Sequence, residues 1–284
     1  MKTKKSMISV LRGIFGAVAA VTSVSAMATP VTQWGFVIDS GFTSYSSTSA
    51  SNNHTGITGT NTNTIINAPS VLSWGTSTGS GVSSFSVGGA SNGNFAGTLF
   101  TDGAAVNTVQ VIHQNNPIQG PTLQSAVLTD RIKLYSINPA GGSDLIEFLT
   151  FNIRYLETTN ATPCVITTSP TPCNDIFVLD VAGAGFNPAD NTLNQNIIYG
   201  GEDYDILLHI AGLGVLSNAA CDAVYGNTAH RGCIGFTTVE DQTNAFQVSL
   251  KISSTPFNVP EPGSLALLGL GLFSLGALRR YHKT

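Results

Sequence analysis

The chain has 284 residues, of which 42% are hydrophobic and 10% charged, and its formal net charge is −4. Between the two terminal signals proposed below, it keeps five of its 12 basic residues and 15 of its 16 acidic ones, a net charge of −10. So few cations cannot neutralise a phosphate backbone, which argues against nucleic acid as a partner. The length suits one large domain or two small ones.

The first 28 residues have the three-part layout of a secretory signal peptide. Lysines and Arg12 form a basic head, residues 14–21 are an apolar run, and Ala26 and Ala28 provide the small residues of a cleavage site. The apolar run is shorter than the ~20 residues that a membrane-spanning helix needs. We predict cleavage after Ala28, and the alternative is a short buried helix.

Short runs of aromatic and β-branched residues recur over the next 220 or so positions, separated by turns rich in Gly, Asn and Pro. No amphipathic helix is evident between the two signals. The predicted strands are 31–38, 71–74, 84–87, 94–100, 106–113, 126–137, 145–157, 175–181, 204–211, 234–239 and 245–253. This pattern predicts an all-β extracellular domain over 29–258, a β-sandwich of jelly-roll type.

Residues 40–64 differ in composition, because 13 of these 25 positions are Ser or Thr, four are Asn and three are Gly. Such a stretch buries little apolar surface to offset the entropy lost on ordering. We predict a long mobile loop, either a solvated insertion or a glycosylated or ligand-facing segment.

The predicted strand 106–113 ends in a histidine. His113 shares a face with Val109 and Val111, which indicates a core residue hydrogen-bonded to neighbouring backbone; a ligand role is the alternative. Asn115 and Asn116 precede Pro117, and this composition is typical of a turn.

The four cysteines form two local pairs, Cys164 with Cys173 and Cys221 with Cys233. An even count in an exported chain predicts disulfides, here closing two hairpin loops, although other connectivities are open. Zinc is the competing interpretation, since His230 lies three residues before Cys233, but the spacings are not those of a zinc ribbon.

Carboxylates are crowded at 200–205, where Asp203 and Asp205 share the face of a predicted strand. Closely spaced carboxylates bind a cation or face water, and hard oxygen ligands suit Ca²⁺. Asp203 and Asp205 are therefore candidate calcium ligands, with a solvated surface as the alternative. No other cofactor is expected.

No catalytic motif is found. The chain lacks a Gly-x-Ser-x-Gly elbow, a His-Glu-x-x-His zinc motif and a phosphate-binding loop with Lys. A glycosidase would need two opposed carboxylates at a definite separation, which a sequence cannot show. We predict a non-enzyme with no catalytic residues.

The chain ends with a rigid motif, an apolar segment and a basic cluster. Pro260 and Pro262 flank Glu261 and prevent a helix from extending backwards. The predicted transmembrane helix is 264–278, and its apolar run 265–278 reaches about 21 Å, a marginal span for a hydrocarbon layer of about 30 Å. Arg279 and Arg280 would hold its end on the cytoplasmic side.

These three parts, in this order, resemble the PEP-CTERM sorting tail. The resemblance implies that an exosortase, a membrane cysteine transpeptidase of Gram-negative bacteria that make exopolysaccharide, reads Pro260, Glu261 and Pro262 and cuts near them. The segment 259–284 would hold the protein in the inner membrane only transiently, before transfer to a surface anchor or release into the matrix. An ordinary tail anchor is the alternative.

The stretch from His113 to Ile118 is similar to the signature of the THxN family of PEP-CTERM proteins, named for a Thr-His-x-Asn tetrad. His113 and Asn115 match the tetrad, while Ile112 replaces its Thr. This similarity implies a class of protein and no particular chemistry.

The two signals and the acidic β domain predict a structural or adhesive protein of the cell surface or extracellular matrix, with exosortase and extracellular polysaccharide as partners. A calcium-assisted glycan-binding module and a secreted polysaccharide hydrolase are the alternatives.

Overall fold

The structure is a computed structural model that describes residues 29–255, apart from 50–53, 89–92, 168, 171 and 181–184. Strands make up 62% of it and helix 4%, and the sheets are antiparallel and curled. The prediction of an all-β fold is confirmed.

Two large antiparallel sheets form the body of the domain. The first sheet has seven strands, in the spatial order β15 (Gly214–Val215), β16 (Ile234–Thr238), β11 (Asp175–Asp180), β10 (Leu145–Leu156), β9 (Leu123–Asn138), β1 (Gln33–Ser47) and β6 (Asn94–Phe100). The second has eight, in the order β12 (Gly185–Asn187), β13 (Thr192–Tyr199), β14 (Glu202–Ile210), β17 (Gln242–Ser254), β7 (Val106–Asn115), β5 (Ser83–Gly88), β3 (Ala68–Trp74) and β2 (Ile57–Asn63). A small ribbon pairs β4 (Thr76–Ser77) with β8 (Ile118–Gln119).

One apolar core joins the two sheets. Side chains alternate between core and outer face along the strands, so each sheet contributes an inward row. Trp34 of β1 is fully buried and meets Tyr204 of β14 edge-on, with ring centroids 5.1 Å apart. Phe85 of β5 packs on Phe177 of β11 at 4.7 Å. These contacts between sheets define a β-sandwich-like arrangement.

A second, smaller core lies outside the first sheet. The helix α1 (Asn218–Tyr225) packs Ala220 against Ile176 and Val178 of β11. The Ser217 hydroxyl accepts a hydrogen bond from the Ala220 N–H and caps the helix start.

The two disulfides hold this outer layer in place, and both predicted pairings are confirmed. Cys164 bonds to Cys173 within the connection between β10 and β11. Cys221 of α1 bonds to Cys233, just before β16. The second bridge therefore ties a helix to a strand, where a hairpin loop was predicted.

The prediction of a long loop over 40–64 is wrong for most of these residues. β1 continues to Ser47, and β2 occupies 57–63; residues 50–53 lie outside the described chain. Hydroxyl groups stabilise the extended conformation, since Thr43 pairs with Thr129 at 2.9 Å and Ser46 with Ser125 at 2.6 Å across β1 and β9. The composition of 40–64 indicated a mobile loop because composition does not report the pairing of β1 with β9.

The helix α1 and six strands, among them β12 and β13, were not predicted from the sequence. The helix is eight residues long and depends on a cap, a disulfide and tertiary packing more than on its own apolar periodicity. β13 is rich in Asn and Gln, and it forms by pairing with β14 over its whole length.

Gly235 of β16 provides a test of strand packing. A Cβ at this position would overlap the carbonyl oxygen of Phe177 in β11, whereas a Cβ on its cross-strand partner Gly214 would meet nothing within 4 Å. We expect Gly235→Ala to lower the free energy of unfolding by at least about 2 kcal/mol through overpacking, measured by urea denaturation.

Gly214→Ala is the matched control and should change the free energy of unfolding by no more than about 0.5 kcal/mol. Equal effects of the two substitutions would contradict the close approach of β16 to β11.

Candidate functional site

Three carboxyl groups meet at one end of the sandwich. Glu157 follows β10, Asp175 begins β11, and Glu240 lies in the turn between β16 and β17. One ligand oxygen from each lies within 4.8 Å of the other two. Asp175 is fully buried, Glu240 is 4% exposed and Glu157 is partly buried. We call these three residues the carboxyl cluster.

Among the described residues, no basic side chain forms a salt bridge with the carboxyl cluster. The described residues form three salt bridges, and none of them involves Glu157, Asp175 or Glu240. Buried charges in proteins are normally paired or bound to a metal, because removing an ion from water is costly. The cluster must therefore hold protons or a cation.

Tyr155 of β10 bridges two members of the cluster. Its hydroxyl lies 2.7 Å from Glu157 Oε2 and 2.5 Å from Asp175 Oδ2. The single hydroxyl proton can be donated to one carboxylate only. The other contact then requires a proton on the carboxyl group, which donates to the tyrosine oxygen. The backbone N–H of Thr158 donates to Asp175 Oδ1 at 2.8 Å.

The electrostatics of the cluster favour protonated carboxyl groups. Burial, followed by the charge of Asp175, raises the pKa of Glu157 well above its ordinary value of 4.5. The same two causes raise the pKa of Glu240 to about 7. Burial also raises the pKa of Asp175, although hydrogen bonds from Tyr155 and Thr158 oppose the shift.

His113 is buried beside the cluster, as its position in an alternating strand predicts. The ring stacks on Trp74 at 5.5 Å, and Nδ1 lies 2.9 Å from Thr238 Oγ1. Its partner is thus a threonine hydroxyl and not the backbone expected from the sequence. Burial lowers the pKa of His113 to about 3, so the ring is neutral at physiological pH.

Asn115 is not the turn residue that the sequence predicted. It is the last residue of β7, it is fully buried, and its Nδ2 donates to the carbonyl oxygen of Thr238 at 3.3 Å. Its amide lies close enough to Asp175 and Glu240 to lower the pKa of both, without a hydrogen bond of good geometry to either. The two residues of the predicted tetrad thus both lie beside the carboxyl cluster.

Glu157, Asp175 and Glu240 were not predicted from the sequence to form a site. They are separated by 18 and 65 positions, and only the pairing of β10, β11 and β16 brings them together. One signal was present, because Asp175 directly precedes the apolar run Ile176–Leu179 and therefore enters a buried strand.

Asp203 and Asp205 lie on the outward face of β14, where both are partly buried. Asn196 Nδ2 donates to Asp205 Oδ1 at 3.3 Å. Within the described ranges the carboxyl cluster is the one group of three potential metal ligands, and it includes neither aspartate. Their calcium role stays a prediction.

A buried carboxyl group also lies deep in the core. Asp130 of β9 lines an otherwise apolar cavity of about 30 Å³, and burial raises its pKa to about 6. A cavity of this size has room for a water molecule or two and not for a sugar.

A surface cleft of about 380 Å³ opens beside α1. Its walls include Asp180, Phe186, Tyr225, His230, Arg231 and Cys233. The rings of Tyr225 and His230 stack, with centroids 3.8 Å apart and planes inclined by 13°. Arg231 bonds to Asp222 of α1 at 3.0 Å, and the Cys221–Cys233 bridge anchors the same loop. The disulfide and the Arg231–Asp222 ion pair thus hold the loop that carries His230 against α1; we call this the braced surface cleft.

The predicted sites at the two ends lie outside the described residues: Ala26 and Ala28 at one end, and Pro260, Glu261, Pro262, Arg279, Arg280 and the helix 264–278 at the other. Within 29–255, no described helix combines the length and apolar character required to cross a membrane.

Residues 258–280 match the family model of the PEP-CTERM protein-sorting motif. The PEP-CTERM tail predicted from the sequence is thus confirmed. The motif indicates an exported protein that is sorted by an exosortase and located at the cell surface or outside the cell. No curated protein matches the chain.

The raised pKa values predict how stability depends on pH in the presence of a chelator. A carboxyl group whose pKa is higher in the folded state binds more protons folded than unfolded, so its stabilisation is complete at low pH and is lost as pH rises. For Glu240 this window runs from 4.5 to about 7. Asp175, Glu157 and Asp130 act with the same sign. We expect the urea midpoint to fall through this range.

Glu157→Gln removes one titrating member of the cluster and should flatten this fall. Glu147→Gln, the same change earlier on β10, should follow the unaltered protein. A midpoint that does not fall between pH 5 and 8 in the unaltered protein, or that falls equally in both variants, would contradict the raised pKa values of the cluster.

Proposed function

We propose that the exported domain is a non-catalytic structural or adhesive protein of the extracellular polysaccharide matrix. The observation that carries the proposal is the braced surface cleft with its stacked Tyr225 and His230. The sorting motif at 258–280 supports the setting, because it directs the chain to the outside of the cell, where such polymers lie.

The chemistry of the cleft suits a sugar. Binding sites for small ligands combine apolar or aromatic walls with a few polar groups that fix orientation. The Tyr225 ring lies against His230 and beneath the Arg154 guanidinium, so the exposed His230 ring is the member of the pair that can contact the apolar face of a pyranose ring. Asp180 and Arg231 offer acceptors and donors for the hydroxyl groups of the sugar. The domain's net charge of −10 favours a neutral polymer over a strongly anionic one.

The burial of the carboxyl cluster supports a role without catalysis. A glycosidase needs two carboxyl groups that reach both sides of a bound glycosidic linkage. Asp175 is fully buried and Glu240 is 4% exposed, so a polysaccharide has no access to this pair. Calcium-assisted glycan binding would need an accessible ion, and the candidate calcium ligands Asp203 and Asp205 lie on the outward face of β14.

We also assign the chain to the THxN group of PEP-CTERM proteins and its host to the Gram-negative bacteria. The assignment rests on His113 and Asn115, with Ile112 departing from the tetrad. In such a host the segment 264–278 would anchor the chain in the inner membrane until the exosortase cuts it.

The sorting step can be tested in a host with an exosortase. Replacing both Pro260 and Pro262 by Ala should leave the tail uncut, because the rigid motif that the enzyme reads is lost. Pro256→Ala, outside the matched segment 258–280, should be processed normally. Mass spectrometry of the recovered protein distinguishes the two, and normal trimming of the double variant would contradict the proposed recognition.

Polysaccharide binding can be tested by retention of the protein on exopolysaccharide purified from the producing strain. His230→Ala removes one ring of the stacked pair and should weaken retention about fivefold, the equivalent of about 1 kcal/mol. His209→Ala, on β14 of the other sheet, should bind as the unaltered protein does. If the unaltered protein shows no retention, or both variants bind equally, the cleft is not the adhesive surface.

A further inference from the structure

We propose that Glu157, Asp175, Glu240 and Asn115 form a calcium site that joins the two sheets at one end of the sandwich. This site is separate from the surface cleft and does not depend on polysaccharide binding.

The negative charge of the carboxyl cluster is not compensated by any salt bridge of the described residues. Three carboxyl groups with ligand oxygens within 4.8 Å of one another would repel if ionised, and no salt bridge in the described chain relieves them. The Tyr155 hydroxyl can donate its proton to only one of the two carboxylates that it contacts. A divalent cation would neutralise two of the three charges without requiring protons.

Asn115 supports a cation independently of the acidic residues. Asn115 reaches the cluster from β7, on the opposite sheet from Asp175, and its side chain is fully buried. Its Oδ1 has no hydrogen-bond partner among the described residues. A buried amide oxygen without a partner normally carries an energetic cost, which a bound cation would remove.

The neighbouring Glu240 also has buried oxygens that lack hydrogen-bond partners among the described residues. Both of its carboxyl oxygens are buried without a hydrogen-bond partner of good geometry in the described structure. Asn115 and Asn160 lie near enough only to lower its pKa. Unsatisfied oxygens therefore come from both sheets and from the turn between β16 and β17.

The ligand set favours calcium over other metals. All four side chains offer oxygen, and carboxylates binding through one or both oxygens can supply the six to eight ligands that Ca²⁺ takes. Zinc prefers nitrogen and sulfur, but all four cysteines are in disulfides and His113 is not within the group. Mg²⁺ demands a stricter octahedron and usually keeps several waters.

The position of the site gives the ion a structural role. It would connect the end of β10, the start of β11, the end of β7 and the turn after β16. Extracellular calcium modules bind with dissociation constants of about 10⁻⁴ to 10⁻³ M. A site of this affinity would fill outside the cell and would stabilise the domain after export.

Thermal unfolding of the exported protein tests the proposal at neutral pH, first with chelator and then with CaCl₂. At about a hundredfold excess over a dissociation constant of ~10⁻⁴ M, we expect calcium to raise the melting temperature by about 5–10 °C. MgCl₂ at the same concentration should produce a smaller rise.

Glu240→Gln should give two opposite effects. With chelator its melting temperature should equal or exceed that of the unaltered protein, because one repelling charge is gone, while the calcium-dependent rise should disappear. A merely structural glutamate would not produce this combination. Glu147→Gln, the same change of residue type on β10 outside the carboxyl cluster, is the matched control and should keep the full rise.

Terbium luminescence provides a measurement that needs no variant. Trp74 is 1% exposed and its indole N–H lies close enough to Glu157 to lower the pKa of that residue, so it can transfer energy to Tb³⁺ in the site. We expect tryptophan-sensitised emission that Ca²⁺ displaces. The proposal is overturned if calcium neither raises the melting temperature nor displaces terbium, or if the rise survives in Glu240→Gln.

Discussion

The buried negative charge at one end of the sandwich is the constraint around which the local structure is arranged. Glu157, Asp175 and Glu240 meet at a largely buried position, and none of the salt bridges of the described chain involves them. Two neighbouring groups lower the energetic cost of burying these carboxyl groups. The Tyr155 hydroxyl lies between Glu157 and Asp175, and the Thr158 N–H donates to Asp175 Oδ1. The remaining negative charge must be neutralised by protons or a cation. The stability of this end of the sandwich therefore depends on pH and on the cations in solution.

The fold places that charge in a region of otherwise strong packing. His113 is neutral and held between Trp74, Tyr155 and Phe177, so it contributes aromatic contact and no compensating charge. Because the two sheets converge there, a change in the charge state of the cluster acts on both at once. The disulfide-braced layer of α1 lies on the outer face of the first sheet, so the surface cleft is supported from a different side of the molecule.

A protein delivered to the cell surface must function without the chaperones and reducing conditions of the cytoplasm, and two features suit that setting. Both disulfides persist in an oxidising environment. The oxygen-lined cluster would respond to the calcium that is available outside the cell. Under the proposed function, the stacked pair of Tyr225 and His230 would contact the matrix, and Asp175 and Glu240 would remain buried away from it.

The sequence by itself determined the destination and the fold class, because an address tail is a linear signal and strand alternation is a local pattern. The same locality predicted both disulfides, whose cysteines are 9 and 12 residues apart. Only the tertiary structure decided that residues 40–47 continue a strand, since their hydroxyl groups depend on β9 for partners. It also decided that Asn115 faces Asp175 and Glu240, because residues so distant in the chain are brought together by strand pairing, which leaves no local trace in composition or spacing.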